Sequence, residues 1–292
     1  MSINNFIPTL WSGNFIAALQ KAQVFSSPAI VNRNYEGEIS GFGDRVKIQQ
    51  IGAISVSNYT KNTTSITFKQ LEDASVFLEI NQCKYFAFEI DDVDKAQVKG
   101  DVMGLAMNDA AYRVKDVIDQ YIAGLHGMAG ITSGLGTTAT PLTVTAKATA
   151  SSNISIQELF GTIKQKLDEG NVPTDGRFII LPPVMVFKLS LSAQSIVGVS
   201  QQQAAVSNGF VGNVWGFNVY MSNNVVNTSG AKYKVLAGTN QAISYAEQIN
   251  SVEALRREDS FRDAVKGLML YGANVIRPDL LACATVSSAA EA

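Results

Sequence analysis

Few side chains in this sequence have the types and spacing needed for nucleophilic or general-base catalysis. His126 is the single histidine, so a Ser-His-Asp or Cys-His site would have to use it. It stands at the predicted end of a long helix, where a cation is a routine structural feature. Cys83 and Cys283 lack a C-x-x-C partner, and we predict two small buried side chains rather than a disulfide. These residues predict no catalytic site and no enzyme.

The glycine-rich and acidic segments also lack the signatures of ligand sites. No G-x-x-x-x-G-K-S/T phosphate loop occurs, and residues 134–136 lack the preceding strand and the third glycine of a dinucleotide-binding fingerprint. Asp91, Asp92 and Asp94 could bind a hard cation, but no twelve-residue loop with a closing glutamate follows. We therefore place these carboxylates at a helix N terminus, which favours negative charge. The sequence predicts no metal and no cofactor.

A cluster of opposite charges lies near the C-terminal end of the sequence. Its members are Arg256, Arg257, Glu258, Asp259, Arg262 and Asp263. One interpretation is a solvated face of salt bridges within the chain. The other is an ionic patch between subunits, because mixed charge fixes the register between copies. We take the second interpretation as an interface hypothesis and keep the first as its alternative.

The overall charge balance argues against a dedicated DNA-binding protein. The 23 lysines and arginines and 25 aspartates and glutamates give a formal net charge of -2, whereas DNA-binding proteins concentrate cations that release phosphate counterions. Hydrophobic residues are 46% of the 292, enough to bury a core. Residues 189–231 carry no charge, yet they contain too many polar residues for a membrane span. They fit either a surface covered by neighbours or bare loops.

The N-terminal segment is predicted to be an arm that contains no second element for its apolar residues to pack on. It lacks the pattern of a signal peptide, so we expect a cytoplasmic, soluble chain. A short amphipathic helix is predicted over residues 15–23, between Pro8 and Pro28. Trp11 and Phe15 must pack on another part of this chain or on another chain. We therefore predict that both residues lie in a subunit interface.

A protruding β-hairpin is predicted after the arm. Over residues 66–90, apolar residues fall on even positions, which is the period of a half-buried strand, and residues 45–49 alternate in the same way. Ordinary strands are shorter, so we expect a break at 72–73. Lys61 and Asn62 mark the polar tip and are predicted interface residues. A two-stranded hairpin is marginal in water and its edges invite pairing with other chains.

A long helix and then a compact α/β unit are predicted beyond the hairpin. From Asp91 to about Gly127 the apolar period becomes helical, which gives a strut about 45 Å long. Its apolar face consists of Val114, Val117, Ile118, Tyr121 and Leu125. In the α/β unit, Ser155 and Glu158 match a capping box that opens a helix. That helix has one apolar face, made of Ile156, Leu159, Phe160, Ile163 and Leu167.

Several motifs in this order resemble tailed-bacteriophage major capsid proteins. They are Tyr35-Glu36-Gly37-Glu38 with Gly43-Asp44-Arg45-Val46-Lys47-Ile48, then Lys84-Tyr85-Phe86-Ala87-Phe88-Glu89-Ile90-Asp91-Asp92, then a G-x-x-G-x-x-x-G-F-x-V-x-x-S-N pattern over residues 209–223, and finally Gly267-Leu268, Tyr271-Gly272-Ala273 and Arg277-Pro278.

The resemblance implies the α+β capsid fold of the Hong Kong ninety-seven type. Its parts would be an N-terminal arm at 1–35, an extended β-hairpin loop with flanking strands at 36–90, and a peripheral domain with a long spine helix at 91–150. An axial α/β domain at 151–250 and return strands at 251–292 would follow. The same order of an arm, a hairpin, a strut and an α/β unit follows from the residue patterns alone.

The resemblance also implies a function. Hexamers and pentamers of one chain would close into an icosahedral viral head around double-stranded DNA, without sequence-specific contact and without a membrane. Scaffolding, portal and decoration proteins are possible partners in this family. No acidic coiled stretch precedes the arm, so we expect no cleaved scaffolding segment, and we predict no crosslink at Lys61 or Asn62. The alternatives are the shell of a bacterial encapsulin-type nanocompartment and a stand-alone α/β binding protein.

Overall fold

The computed structural model describes residues 24–35, 45–51, 56, 58, 60–61, 73–92, 102–147, 153–192, 210–257 and 261–289 of the chain. The predicted arm helix at 15–23 lies outside these ranges. So do five of the predicted interface residues, which are Trp11, Phe15, Asn62, Glu258 and Asp259.

The first two strands form an antiparallel hairpin. Strand β1 (Arg45–Ile51) pairs with β2 (Asp73–Glu79), from Arg45 opposite Glu79 to Ile51 opposite Asp73. Alternate residues of the pair are buried, as the even-position pattern predicts.

Asp73 is the first residue of β2 and residue 72 lies outside the described residues, so the break at residues 72–73 stays a prediction. Within the described residues, the alternating stretch breaks at Ile80 and Asn81, where the chain leaves the hairpin. Strand β3 (Gln82–Asp91) then enters a different sheet. Apolar residues keep to even positions on both sides of this break. The even-numbered apolar residues of β2 face the small core at the hairpin base, whereas those of β3 face the main core.

A single long helix, α1 (Val102–Gly124), follows, and a 3-10 turn at Leu125–Met128 ends it. Ile118 of the predicted apolar face is fully buried, whereas Val117 is exposed. Asp91 is the last residue of β3 and the next residue, Asp92, is helical, so both lie where a helix begins, as the sequence predicts, whereas Asp94 lies outside the described residues.

The remaining chain alternates short helices with strands. The elements are β4 (Leu142–Thr145), β5 (Asn153–Ser155), α2 (Ile156–Glu169), β6 (Arg177–Leu181), α3 (Pro183–Leu191), β7 (Phe210–Val214), β8 (Phe217–Met221), β9 (Asn227–Thr228), β10 (Lys232–Thr239), β11 (Ile243–Arg256), β12 (Arg262–Val275) and β13 (Leu281–Ser288), with a 3-10 turn at Pro278–Leu280.

Eight of these strands form one sheet, in the order β5-β4-β13-β10-β6-β8-β7, with β9 paired to β10. Helix α2 packs against β4, β5 and β13. The sheet therefore includes β4 and β13, which lie outside the predicted axial boundaries of 151–250. Those boundaries follow sequence order, but strand pairing brings residues 281–288 between β4 and β10.

The start of α2 follows the predicted capping box. The hydroxyl of Ser155 accepts a hydrogen bond from the Glu158 backbone N–H at 3.1 Å, and the Glu158 carboxylate accepts one from the Ser155 N–H at 2.7 Å. All five predicted apolar residues of this helix are buried. A local pattern thus sets both the start of the helix and the face that it buries.

A second sheet has three strands in the order β11-β12-β3, all antiparallel. Its inner face joins the main core together with α1, through residues such as Val265 and Met269. On its outer face, Leu270 and Ala246 pack with Ile48 and Leu78 of the hairpin in a small separate core. The base of the hairpin therefore rests on one end of this sheet.

The two cysteines have different environments. Cys283 is buried in β13, as predicted, and burial raises the pKa of its thiol to about 11. Cys83 is exposed on β3, so the prediction that it is buried is wrong. The reason is that β3 lies at an edge of the three-stranded sheet, where one face of the strand meets no other element.

Candidate assembly surfaces

The charged cluster lies at the turn between β11 and β12, and its arginines contact carboxylates at the end of β3. Arg256 lies 2.6 Å from a carboxylate oxygen of Asp92. Glu89 accepts hydrogen bonds on both of its oxygens, from Arg262 at 2.6 Å and from Arg257 at 3.0 Å. These bonds hold the pKa of the Glu89 carboxyl below its ordinary value.

Strand register explains why these charges meet. Strand β12 pairs with β3 so that Arg262 is opposite Asp91, and the two side chains lie 3.3 Å apart. Arg256 also lies 3.7 Å from Asp263 across the turn. The described members of the cluster thus form salt bridges within the chain, which is the alternative interpretation from the sequence. A role between subunits stays a prediction for these residues and for Glu258 and Asp259.

Within the described residues, the outer face of the three-stranded sheet is covered over only part of its length. The hairpin base covers the end that contains Leu270. Beyond it, Tyr85 of β3 is 80% exposed and Leu255 of β11 is also exposed. A shallow groove of about 400 Å³ runs over Ala87 and Ala264 and continues to Leu255. Exposed apolar surface beside small residues is typical of a face that another element covers.

Gly272 shows how closely the hairpin base approaches this sheet. A Cβ atom at Gly272 would lie 2.2 Å from the carbonyl oxygen of Glu79, the last residue of β2. No real Cβ contact is that short, so a larger residue would push the hairpin away from β12. The contact fixes the point from which the hairpin extends.

The described residues near the hairpin tip are exposed. Val56 is 96% exposed and Lys61 is exposed as well. Phe77, on β2, is another exposed apolar residue of this hairpin. An isolated two-stranded ribbon with such residues gains little from its own chain beyond its base.

A third apolar surface lies on α3. Val184, Phe187 and Leu191 are three and four positions apart, share one face of the helix, and are exposed. The charge-free segment at 189–231 begins on this helix. In the same segment, Trp215 is exposed in the turn between β7 and β8, with a positive φ of 56°. The two interpretations of this segment, covered surface or bare loops, both stay open, because its exposed residues include apolar ones such as Leu191 and Trp215 and polar ones such as Asn223.

The environment of His126 is that of a residue with a structural role. Its Nδ1 donates to the carbonyl oxygen of Ala123 at 3.1 Å, in the 3-10 turn after α1. Among the residues that the structure describes, no three His, Cys, Asp or Glu side chains are placed to hold a metal ion. Within the same residues, no helix has the length and apolar character needed to cross a membrane.

Comparison with known proteins gives the family of this chain. The sequence matches the family described as phage capsid protein over residues 84–285. The chain belongs to this family. It is a tailed-phage major capsid protein located in the virion, as predicted, and its family and fold are structural rather than enzymatic.

Solved structures of phage capsids share the fold. A chain from Mycobacterium phage Che8 is 28% identical, with a TM-score of 0.69 over 89% of this chain and 90% of that one. The capsid of cyanophage P-SCSP1u is 18% identical, with a TM-score of 0.64 over 92% and 89%. No curated protein matches the sequence. The predicted α+β capsid fold is confirmed.

A virus-like particle from Pyrococcus furiosus also has this fold. It is 12% identical, with a TM-score of 0.54 over 96% of this chain and 99% of that one. Together with the phage capsids, it supports association of copies of this chain into a shell.

Proposed function

We propose that copies of this chain form hexamers and pentamers that close into an icosahedral head around double-stranded DNA, assembled in the host cytoplasm. The observation that carries the proposal is the apolar surface that the described residues leave exposed on the outer face of the three-stranded sheet and on the hairpin. Tyr85 and Leu255 expose apolar surface on that sheet, and Val56 and Phe77 expose it on the hairpin. A neighbouring copy supplies the surface that both lack.

The energetics support contacts between copies. The small core at the hairpin base has seven buried residues. They belong to β1, β2, β11 and β12 or directly follow β2 and β12. The rest of the hairpin has to gain its stability by burial against another chain, because folding orders its backbone at a cost of about 1–2 kcal/mol per residue. Obligate interfaces that bury roughly 2,000–5,000 Å² supply such compensation.

The proposed container encloses DNA without reading its sequence. The net charge of -2 gives no concentrated cationic surface, and a shell does not need one to enclose a genome. Scaffolding, portal and decoration proteins are the further partners that we propose for this role. We propose no catalytic step.

The second candidate is a nanocompartment shell that encloses protein cargo. The similarity to the virus-like particle from Pyrococcus furiosus favours it as the alternative. The match of residues 84–285 to a phage family favours the viral head.

Electron microscopy and light scattering of the purified chain test the proposal. We expect closed particles, with or without an added scaffold protein, and nuclease-protected DNA inside particles from infected cells. A lasting monomer of 31.3 kDa across a range of salt concentrations would contradict shell formation. Packaged enzyme in place of DNA would favour the nanocompartment.

A further inference from the structure

A buried carboxylate on α1 holds the segment that follows the arm. Asp119 is 2% exposed, although aspartate is rarely buried without partners. One carboxylate oxygen accepts from the Val24 backbone N–H at 3.3 Å, and the other accepts from the Ser26 hydroxyl at 3.4 Å. The carboxylate therefore contacts a segment that lies 93–95 residues earlier in the sequence.

Residues 24–35, which we name the arm root, continue from this contact across the molecule. Phe25, Ile30 and Val31 are buried in the main core. Asn32 then pairs with β11: its N–H donates to the Ile243 carbonyl at 2.8 Å. The arm root thus crosses from α1 to the three-stranded sheet.

The last part of the arm root ends beside the hairpin base. Arg33 forms an ion pair with Glu247 and lies over the ring of Tyr245, with its guanidinium carbon 5.2 Å from the ring centroid. Tyr35 packs against the small core that contains Ile48 of the hairpin. Asp119 is the contact at the opposite, N-terminal end of the arm root.

Burial of the Asp119 carboxylate disfavours its charged form, and the hydrogen bonds from the arm root oppose this effect. Burial raises the pKa of Asp119, while hydrogen bonds from the backbone of Val24, Phe25 and Ser26 and the charge of Lys115 act in the opposite direction. An alanine at this position would avoid burying a carboxylate but would leave the donors of Val24 and Ser26 without this acceptor. The carboxylate is explained by the hydrogen-bond donors that it meets.

We propose that Asp119 fixes the position of Val24, the residue to which residues 1–23 are joined, and thereby favours contact of that N-terminal segment with a second copy. The inference rests on the proposed shell function. Asp119 acts through the arm root, so it is a positioning residue. Without its two acceptor oxygens, the donors of Val24 and Ser26 lose their partners, and the start of the arm root is free to detach while the rest of the fold stays intact.

Hydrogen exchange of the full-length chain tests the anchor. In Asp119→Ala, we expect amides of residues 24–31 to exchange about tenfold faster, because buried donors lose their acceptor. Amides of β6, a fully buried strand, should exchange at the wild-type rate. Asp119→Asn keeps the shape but only one acceptor oxygen, and should give an intermediate rate. Asp116→Ala is the matched control, since Asp116 is on the same helix and accepts from Gln120 at 2.8 Å.

The outcomes separate anchoring from general stability. Unchanged exchange at residues 24–31 in Asp119→Ala would overturn the proposal, and so would an equal acceleration at residues 24–31 and β6. If Asp119→Ala does not fold, Ser26→Ala removes one donor, and we expect about two- to fivefold faster exchange at residues 24–31 alone.

Particle yield then tests the positioning role. We expect Asp119→Ala to form fewer closed particles than Asp116→Ala at equal protein concentration. Faster exchange of the arm root with a normal particle yield would overturn the positioning role and leave the shell function intact. Failure of the wild-type chain itself to form particles would contradict the shell function, whereas the exchange measurement would still report on the anchor.

Discussion

The eight-stranded sheet and the three-stranded sheet bury their apolar faces to different extents. Strand β6 is buried at every residue and β13 at its first six, with α2 packed along one side of the sheet. In the three-stranded sheet, Phe86 and Phe88 pack on the main core, while Tyr85, the residue before Phe86, faces outward and is exposed. The first sheet completes its packing within one chain. The described residues leave part of the outer face of the second uncovered, so we expect stability and assembly to depend on different residues.

Removing the hairpin tip should have the largest effect on assembly. We expect deletion of residues 58–65 to lower the yield of closed particles by roughly tenfold or more, because a neighbouring copy loses the hairpin that we expect to cover it. Thermal unfolding of the remaining core should be unchanged. Normal particles from this deletion, seen by electron microscopy, would show that the tip is dispensable.

A substitution in the eight-stranded sheet should lower the stability of the fold rather than act on assembly alone. Phe178 in β6 is fully buried, and Phe178→Ala should lower the free energy of unfolding by about 3–5 kcal/mol. Phe187→Ala is the control, since Phe187 is 59% exposed on α3, and should change that free energy by less than about 0.5 kcal/mol. Denaturant titration of the unassembled chain measures both. Equal losses would mean that the Phe187 side chain contributes to the core as much as Phe178 does.

A substitution on the exposed outer face of the three-stranded sheet should lower particle yield rather than stability. We expect Tyr85→Ala to reduce particle yield severalfold with no change in the denaturation midpoint. Tyr112→Ala, at an exposed tyrosine of α1, is the comparison. If both tyrosine variants assemble as well as the wild type, the outer face near Tyr85 is not an interface.

The smallest effect concerns the ion pairs at the β11–β12 turn. The pKa of Glu89 is lowered in the folded chain by Arg257 and Arg262, so its stabilising effect is present above the ordinary carboxyl pKa of about 4.3 and is lost as the pH falls through the folded pKa. Exposed pairs contribute little. Glu89→Gln should therefore slightly lower the denaturation midpoint at pH 7 and leave it unchanged at pH 3. An equal difference at both values of pH would exclude the ionic explanation.

Local patterns predicted the local parts of the fold. The capping box at Ser155 and the apolar face of α2 depend on residues within four positions of one another, so the sequence is sufficient to place them. The alternation in β1 and β2 predicted their buried residues for the same reason. The family motifs predicted the capsid fold that these elements build.

Contacts between distant residues could not be read from such patterns. Residues 281–288 carry small side chains and no clear period, and only pairing with β4 and β10 makes them a strand inside the sheet. Arg262 meets Glu89 across 173 residues. Asp119 looks like one of several charges on an amphipathic helix, and nothing local distinguishes it from Asp116. A buried acidic residue becomes recognisable only when the segment that it binds is in place.

The position of β13 has a consequence for how the protein is made. This strand lies between β4 and β10, so the sheet stays split in two until residue 288 has left the ribosome. Truncated translation products therefore expose unpaired strand edges instead of a finished subunit. We therefore expect incomplete chains to be excluded from particles because their main sheet is unfinished.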